Sequence, residues 1–293
     1  MKFSIITITY NRAHLIGETI QSVLNQSYSN FEYIIIDDGS TDNTEEVVKF
    51  YQEKSKDKIL YFKKEKIGIP SKLRNIGLLK AKGDIITVLD SDDLWEVDRL
   101  FEIHLVFLNK KEVNFIIHNF RHFNQGQTPK APFYKGESFF KNILREIVLS
   151  EILAFPVYSF RNKLIHEIGL FDENILEGQH DYFARVAARY KIYFLNKSLA
   201  LIRRHNNNMT VIKDVIHCND AIKTFDKLKV TKKINIKLYK KAKHLMNYKI
   251  AKHNFDNNKN KRADGLNKIL NCSPTANKIY FKIYLFKYLN KKY

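Results

Sequence analysis

Ile85-Ile86-Thr87-Val88-Leu89-Asp90-Ser91-Asp92-Asp93 is the stretch on which the fold turns. Ile85–Leu89 is too short for a helix and reads as a strand buried on both faces. Three carboxylates follow within four positions. Like charges at the end of a buried strand repel one another and resist desolvation unless a cation joins them. A divalent metal carrying a diphosphate is the simplest such partner, and Asp90-Ser91-Asp92 has the D-x-D form in which two carboxylates can share one ion with phosphate oxygens. The same residues would also serve as a capped turn leading into a helix near Val97.

Upstream, strand and helix patterns alternate. Ser4–Thr9 is a β-rich apolar run, after which Leu15, Ile16, Ile20, Val23 and Leu24 recur at helical spacing. Tyr33-Ile34-Ile35-Ile36 is another continuous apolar run. Asp42 and Glu45 match a capping box, and Val47, Val48 and Tyr51 line one face of the helix it would start. Ile59–Phe62 reads as a third strand. Pro70 suits the first turn of a helix reaching Ala81, and Gly83 stops it before Ile85. The order βαβαβαβ predicts an α/β fold of Rossmann type: a mostly parallel sheet with flanking helices. Ligands of such sheets sit beyond the carboxyl ends of the strands, where Asp37-Asp38 and Asp90–Asp93 both fall.

Downstream the pattern loosens. Arg99–Leu108 and Glu137–Leu149 read as helices, Phe115–His118 as a strand, Asp181–Tyr190 as a helix and Ile192–Leu195 as a strand. Asn206–Asn208 and Asp256–Lys261 read as polar loops. Beyond Asn206 the chain reads as helices rich in Lys, Asn and aromatics. The predicted organisation is a first half-domain over 1–100, a second over 101–210 and a basic helical C-terminal extension over 211–293.

The 293 residues carry a net charge of +19, unevenly spread. Residues 1–215 hold 30 Lys and Arg against 27 Asp and Glu; residues 216–293 hold 20 against 4. The basic character therefore belongs to the last third, whose partner would be anionic: a membrane surface, a nucleic acid or an acidic polymer. Two cysteines, Cys218 and Cys272, suggest no disulfide framework, no cleavable signal is expected, and the sequence has no apolar run near 18 residues. The expected location is the reducing cytoplasm.

Asp37-Asp38-Gly39-Ser40 follows the second strand. An Asp there can accept hydrogen bonds from a nucleobase imide or a ribose hydroxyl, and Gly39 lets backbone approach a ligand. Ser40 or Asp42 could cap the next helix from the same turn. Together with Thr9-Tyr10-Asn11-Arg12, Arg74-Asn75-Ile76-Gly77, Gly83-Asp84, Gly169-Leu170-Phe171-Asp172-Glu173, His180-Asp181 and Arg204-His205, these segments resemble glycosyltransferase family 2, the GT-A-like nucleotide-sugar transferases. The resemblance covers about residues 3–210 and leaves the basic tail uncovered.

It implies roles for matching positions. Tyr10 and Asp38 would hold the base and ribose of a nucleotide, most often UDP, with Asp37 supporting that turn. Arg74 would reach the nucleotide or its diphosphate, though it could form an ordinary ion pair. Asp90 would contact ribose or metal, and Asp92 would ligate Mn²⁺ or Mg²⁺. His205 would approach the metal or diphosphate, or be a surface histidine in a basic turn. Asp181 would be the general base, taking the proton of the acceptor hydroxyl during an inverting transfer. The family commonly has Glu before that Asp; here it is His180. Arg185 lies one helical turn on and could pair with Asp181, and Glu177 is the fallback base. Phe155–Phe160 would line the acceptor side or belong to the core.

The tail run Lys278–Leu289 interleaves Lys with aromatics, as a membrane interface favours, or forms a charged helical cap. The expected activity is hexosyl or N-acetylhexosaminyl transfer from a UDP-linked donor to a glycan or lipid-linked acceptor, at the cytoplasmic membrane face, in surface polysaccharide or lipooligosaccharide synthesis. A nucleic-acid-binding protein is the weaker alternative, because the charge lies outside the folded core and no recognition motif accompanies it. A nucleotidyltransferase would need a basic phosphate-gripping loop near the N-terminus, for which Tyr10-Asn11-Arg12 is a poor match. The retained acidic set argues against an inactive regulatory homologue.

Overall fold

A computed structural model of the chain describes residues 1–55, 57–124, 132, 135–150, 157–204 and 214–257. They fall into two compact units, Met1–Asn208 and Met209–Tyr293. The first unit opens with β1 (Phe3–Thr9), α1 (Ala13–Leu24), β2 (Phe31–Asp37), α2 (Thr44–Lys54), β3 (Ile59–Lys63), α3 (Pro70–Lys80) and β4 (Ile85–Val88). These four strands pair in parallel in the order β3-β2-β1-β4. Their apolar runs are continuous rather than alternating because both faces are covered: Tyr33, Ile34, Ile35 and Ile36 are all fully buried.

The rest of the unit is mixed. It contains β5 (Leu94–Trp95), α4 (Arg99–Asn109), β6 (Phe115–Phe123), β7 (Phe139–Lys141), α5 (Leu144–Val148), β8 (Tyr158–Arg161), α6 (Leu164–Glu167), α7 (Gln179–Ala187) and β9 (Ile192–Arg203). β8 runs antiparallel between β4 and β6, and β9 lies parallel to β6 and antiparallel to β5 and β7. One sheet of nine strands results.

Several boundaries differ from the sequence expectation. The helix expected over Glu137–Leu149 is a short strand followed by one turn and a half of helix, because Phe139 stacks on Phe194 of β9, centroids 5.1 Å apart, and the pairing overrides local propensity. β6 and β9 both run beyond their predicted ends, and β6 shifts register against β9 around Asn119. The capping box does not form. Asp42 instead accepts from the backbone of Thr44 and of Ala13, tying α2 to α1, while Glu45 turns to Lys49 and Lys63. Of the aromatic stretch, Tyr158 and Phe160 are core residues; Phe155 lies outside the described residues.

The core of the mixed half is aromatic and encloses a cation. Phe115 stacks beside Tyr158 and Phe160 and meets Phe183 edge-on at 4.9 Å. Arg99 at the head of α4 is fully buried. Its guanidinium lies 3.7 Å from the Trp95 ring and donates to His118 Nε2 at 2.9 Å and to Thr87 Oγ1 at 2.9 Å. All its hydrogen-bond partners among the described residues are neutral. Burial and the neighbouring Arg99 push the His118 pKa well below its usual value, so the ring is neutral and its Nδ1 faces the Asn119 carbonyl at 2.7 Å.

The second unit contains α8 (Asp214–Val230) and α9 (Ile236–Asn257), which pack together. Tyr239 donates to Asp226 at 2.6 Å across this pair, and Lys243 reaches the same carboxylate at 3.3 Å. Lys237, Lys240, Lys241 and Lys252 of α9 are exposed. No helix among the described residues is long and apolar enough to cross a membrane. The Lys278–Leu289 run lies outside them.

Phe115→Ala removes from β6 the ring that stacks on Tyr158 and Phe160 of β8, and is expected to cost about 3–5 kcal/mol in denaturant-induced unfolding followed by tryptophan fluorescence.

Candidate active site

The parallel half delivers its strand ends to one edge of the sheet. β2 ends on Asp37, which is fully buried. It accepts from Ser40 N at 2.8 Å and from the Tyr61 hydroxyl at 2.5 Å, so both oxygens hold the turn together. Asp38 accepts from the backbone of Ile67 at 2.6 Å and Gly68 at 3.0 Å, and pairs with Lys66 at 2.8 Å. The Lys66 ammonium also sits over the ring of Tyr10, the half-exposed residue just past β1. Gly39 adopts φ +75°, and a Cβ there would stand 3.0 Å from Lys66 N and 3.1 Å from Lys64 O. The close approach that requires glycine is therefore made by the chain's own backbone.

β4 delivers the acidic loop. Asp90 is half-buried, 3.8 Å from the Arg74 guanidinium. Asp92 pairs with Arg12 at 3.7 Å. Asp93 is buried and accepts from Arg203 N at 2.8 Å, while Arg203 Nε donates to the Asp92 carbonyl at 2.9 Å. The other end of that guanidinium reaches Glu18 at 2.7 Å. Burial pushes the Asp90 pKa up to about 6, opposed by Arg74 and Arg12 and reinforced by Asp92 and Glu177. Burial and the same crowding hold Asp93 well above the usual carboxylate range. Asp90 and Asp92 offer hard oxygens, and no group of three or more His, Cys, Asp or Glu that could hold a metal ion occurs among the described residues. Such a donor set fits a cation that takes one or two carboxylates and completes its shell with phosphate and water, as Mg²⁺ does.

Arg74 closes the other side. It is buried in α3, donates to the Glu177 carbonyl at 2.6 Å and meets the Glu177 carboxylate at 3.3 Å through both terminal nitrogens. Its neighbour Asn75 clasps the backbone of Phe171 in both directions at 2.9 Å. Gly178, at φ +72°, turns the chain from Glu177 into α7, and a Cβ there would press on Phe171 and Ser71 at 3.1 Å. Asp181 stands in the first turn of α7 with its side chain 1% exposed, bonded to Arg185 Nε at 2.7 Å. Arg185 spends its remaining nitrogens on the carbonyls of Ile168 and Leu170. His180 Nε2 faces the Ile147 carbonyl at 3.2 Å.

Tyr10 and Asp38 thus meet through Lys66, and Asp90 and Asp92 meet Arg74 and Arg12. Asp181 is directed to Arg185, whereas Glu177 joins the acidic centre through Arg74. His205 lies outside the described residues. Sequence reading gave no role to Lys66, Arg12 or Arg203. Arg203 carried one signal, its place in the run Arg203-Arg204-His205 at the end of a strand.

Comparison with known proteins settles the family. Residues 4–167 match the family model for glycosyl transferase family 2. The chain belongs to that family. An uncharacterised glycosyltransferase of Rickettsia bellii is 35% identical over 214 residues, covering 71% of this chain and 30% of that protein. The chain thus spans about a third of the length of the relatives from Rickettsia bellii, Rickettsia felis and Rickettsia conorii. Glycosyltransferase GlyG of Streptococcus pneumoniae is 25% identical over 76% of this chain and 78% of its own. Among solved structures, S. aureus TarS 1–349 in complex with UDP-GlcNAc superposes with a TM-score of 0.66 at 19% identity, covering 94% of this chain and 83% of that one. The mannosyltransferase PcManGT of Pyrobaculum calidifontis, in complex with GDP-Man and Mn²⁺, gives 0.63 at 15% over 98% and 80%. These two likenesses establish a shared fold, the GT-A-type mixed α/β sheet with flanking helices.

Asp90 is held where its charge opposes folding. Asp90→Asn is expected to raise the melting temperature of the ligand-free protein at pH 7.5, by about 2–4 °C for each kcal/mol of repulsion removed, while weakening nucleotide binding. Differential scanning fluorimetry beside calorimetric titration with UDP checks both.

Proposed function

We propose that this chain is an inverting, metal-dependent glycosyltransferase that moves a sugar from a nucleotide donor, UDP-linked, to a hydroxyl of a glycan or lipid-linked acceptor. The observation that carries the reading is the placement of Asp38, Asp90 and Asp92 at the carboxyl edge of the parallel strands of a family 2 domain, with Arg74 facing Asp90 and Arg12 facing Asp92. A carboxylate pair interleaved with guanidiniums suits a diphosphate and its cation better than it suits stability.

In this reading Tyr10 and Asp38 hold the base and ribose, and Asp37 keeps the turn that presents them. Lys66, which covers the Tyr10 ring, moves aside for the base. Arg74 and Arg12 reach toward the diphosphate. Asp92, with Asp90 and His205, would hold Mn²⁺ or Mg²⁺, which supplies charge neutralisation for the departing diphosphate. A carboxylate at the start of α7 takes the acceptor proton; Asp181 and Glu177 both stand there. The domain boundaries near residues 100 and 210 would separate donor and acceptor halves from the basic extension. That extension, with exposed lysines on α9, would dock on an anionic membrane surface at the cytoplasmic face, where a lipid-linked acceptor in surface polysaccharide synthesis is presented.

Incubation with Mn²⁺ and a panel of UDP-, GDP- and dTDP-linked sugars is expected to release nucleoside diphosphate from a UDP-sugar. Chelator and Asp92→Ala should each abolish that release, and full turnover of Asp92→Ala would overturn the metal assignment. The full chain is expected to sediment with phosphatidylglycerol vesicles and not with phosphatidylcholine vesicles, and to be released by salt.

A further inference from the structure

We propose that Glu177 is the carboxylate that takes the proton from the acceptor hydroxyl, and that Asp181 is an anchor for the fold. The assignment rests on the transferase reading above.

The two side chains lie four positions apart and have opposite surroundings. Glu177 is fastened to α3: the neighbouring Leu176 carbonyl accepts from Ser71 N at 3.1 Å, and its own carbonyl accepts from Arg74 at 2.6 Å. Through Arg74 its carboxylate is one guanidinium away from Asp90. Only one of its oxygens is engaged. Oε2 receives both Arg74 nitrogens, whereas Oε1 is buried with no hydrogen-bond partner. A buried acceptor left without a donor is costly, and a ligand hydroxyl would satisfy it. The side chain as a whole is 20% exposed.

Asp181 offers neither condition. Its side chain is 1% exposed, and its Oδ2 bonds the guanidinium that also holds the Ile168 and Leu170 carbonyls. That arrangement pins the turn around Gly169 to α7. Withdrawing Asp181 toward a substrate would unfasten it. Gly178 keeps the two roles apart, because its left-handed backbone sets Glu177 on the α3 side of the turn and starts α7 on the other.

The chemical step balances without another reactant. As the acceptor oxygen bonds to the anomeric carbon, its proton passes to Glu177 Oε1. The bond between that carbon and the diphosphate oxygen breaks, and its electron pair leaves with the nucleoside diphosphate.

The test compares Glu177→Gln, Glu177→Asp and Asp181→Asn in the full chain, using the donor that wild type consumes. Donor affinity is read by calorimetry, transfer by steady-state kinetics and folding by thermal melting. Glu177→Gln is expected to lose about 10²–10⁴-fold in kcat with donor affinity and melting temperature near wild type. Glu177→Asp should retain intermediate turnover. Asp181→Asn should melt earlier than wild type and lose less turnover than Glu177→Gln when both are assayed below its melting temperature. Wild-type turnover by Glu177→Gln overturns the assignment. So does a loss confined to donor affinity, which would make Glu177 a donor-sugar contact. A well-folded Asp181→Asn with intact donor affinity and no turnover moves the base to Asp181. A wild-type protein that neither binds nor consumes any nucleotide sugar overturns the transferase reading, and this assignment with it.

Discussion

Three guanidinium groups hold an edge that would otherwise repel itself. Arg74 of α3, Arg12 just before α1 and Arg203 at the end of β9 each reach the loop after β4. Without them Asp90, Asp92 and Asp93 would be like charges packed at the end of a buried strand, a costly arrangement in a low-dielectric setting. The arginines serve the fold and the chemistry together. Arg203 binds main chain and fixes the shape of the loop, whereas Arg74 and Arg12 face carboxylates at 3.7–3.8 Å, a distance that leaves room for further partners. Electrostatic crowding is thus relieved but not abolished, and the residual field suits a cationic or diphosphate-bearing ligand.

Much of the parallel half was legible because its strands are buried on both faces and so read as unbroken apolar runs, with the acidic residues falling directly after them. The mixed half was harder. β7 pairs with β9 through aromatic stacking, so Phe139 and Phe140 override a segment whose local pattern suits a helix. β5 is two residues long and exists only because β9 runs past it. In the site, single acidic residues could be picked out from their position, but their partners could not. Arg203 and Asp93 are 110 residues apart in sequence, and nothing local to either marks the other. Lys66 sits in a run of charges without periodicity, where its choice of Asp38 and the Tyr10 ring is decided by the fold.

The start of α7 illustrates why residue type alone does not assign a role. Glu177 and Asp181 are both carboxylates beside an arginine. One arginine belongs to α3 and points the pair at the acidic edge; the other lies a helical turn along α7 and points it inward. Helical spacing correctly suggested the second pairing, and no sequence rule suggested the first, which spans 103 positions.

The buried Arg99 gives the protein an unusual temperature dependence. Ionic groups are harder to strip of water in the cold, because hydration of a charge carries a strongly negative entropy. Apolar burial also weakens on cooling. A guanidinium enclosed by an indole, an imidazole and two hydroxyls therefore adds to the same slope as the hydrophobic core instead of offsetting it. The stability curve of this unit should bend more sharply toward cold denaturation than its apolar area alone would dictate, and a neutral side chain of equal volume at that position would flatten it.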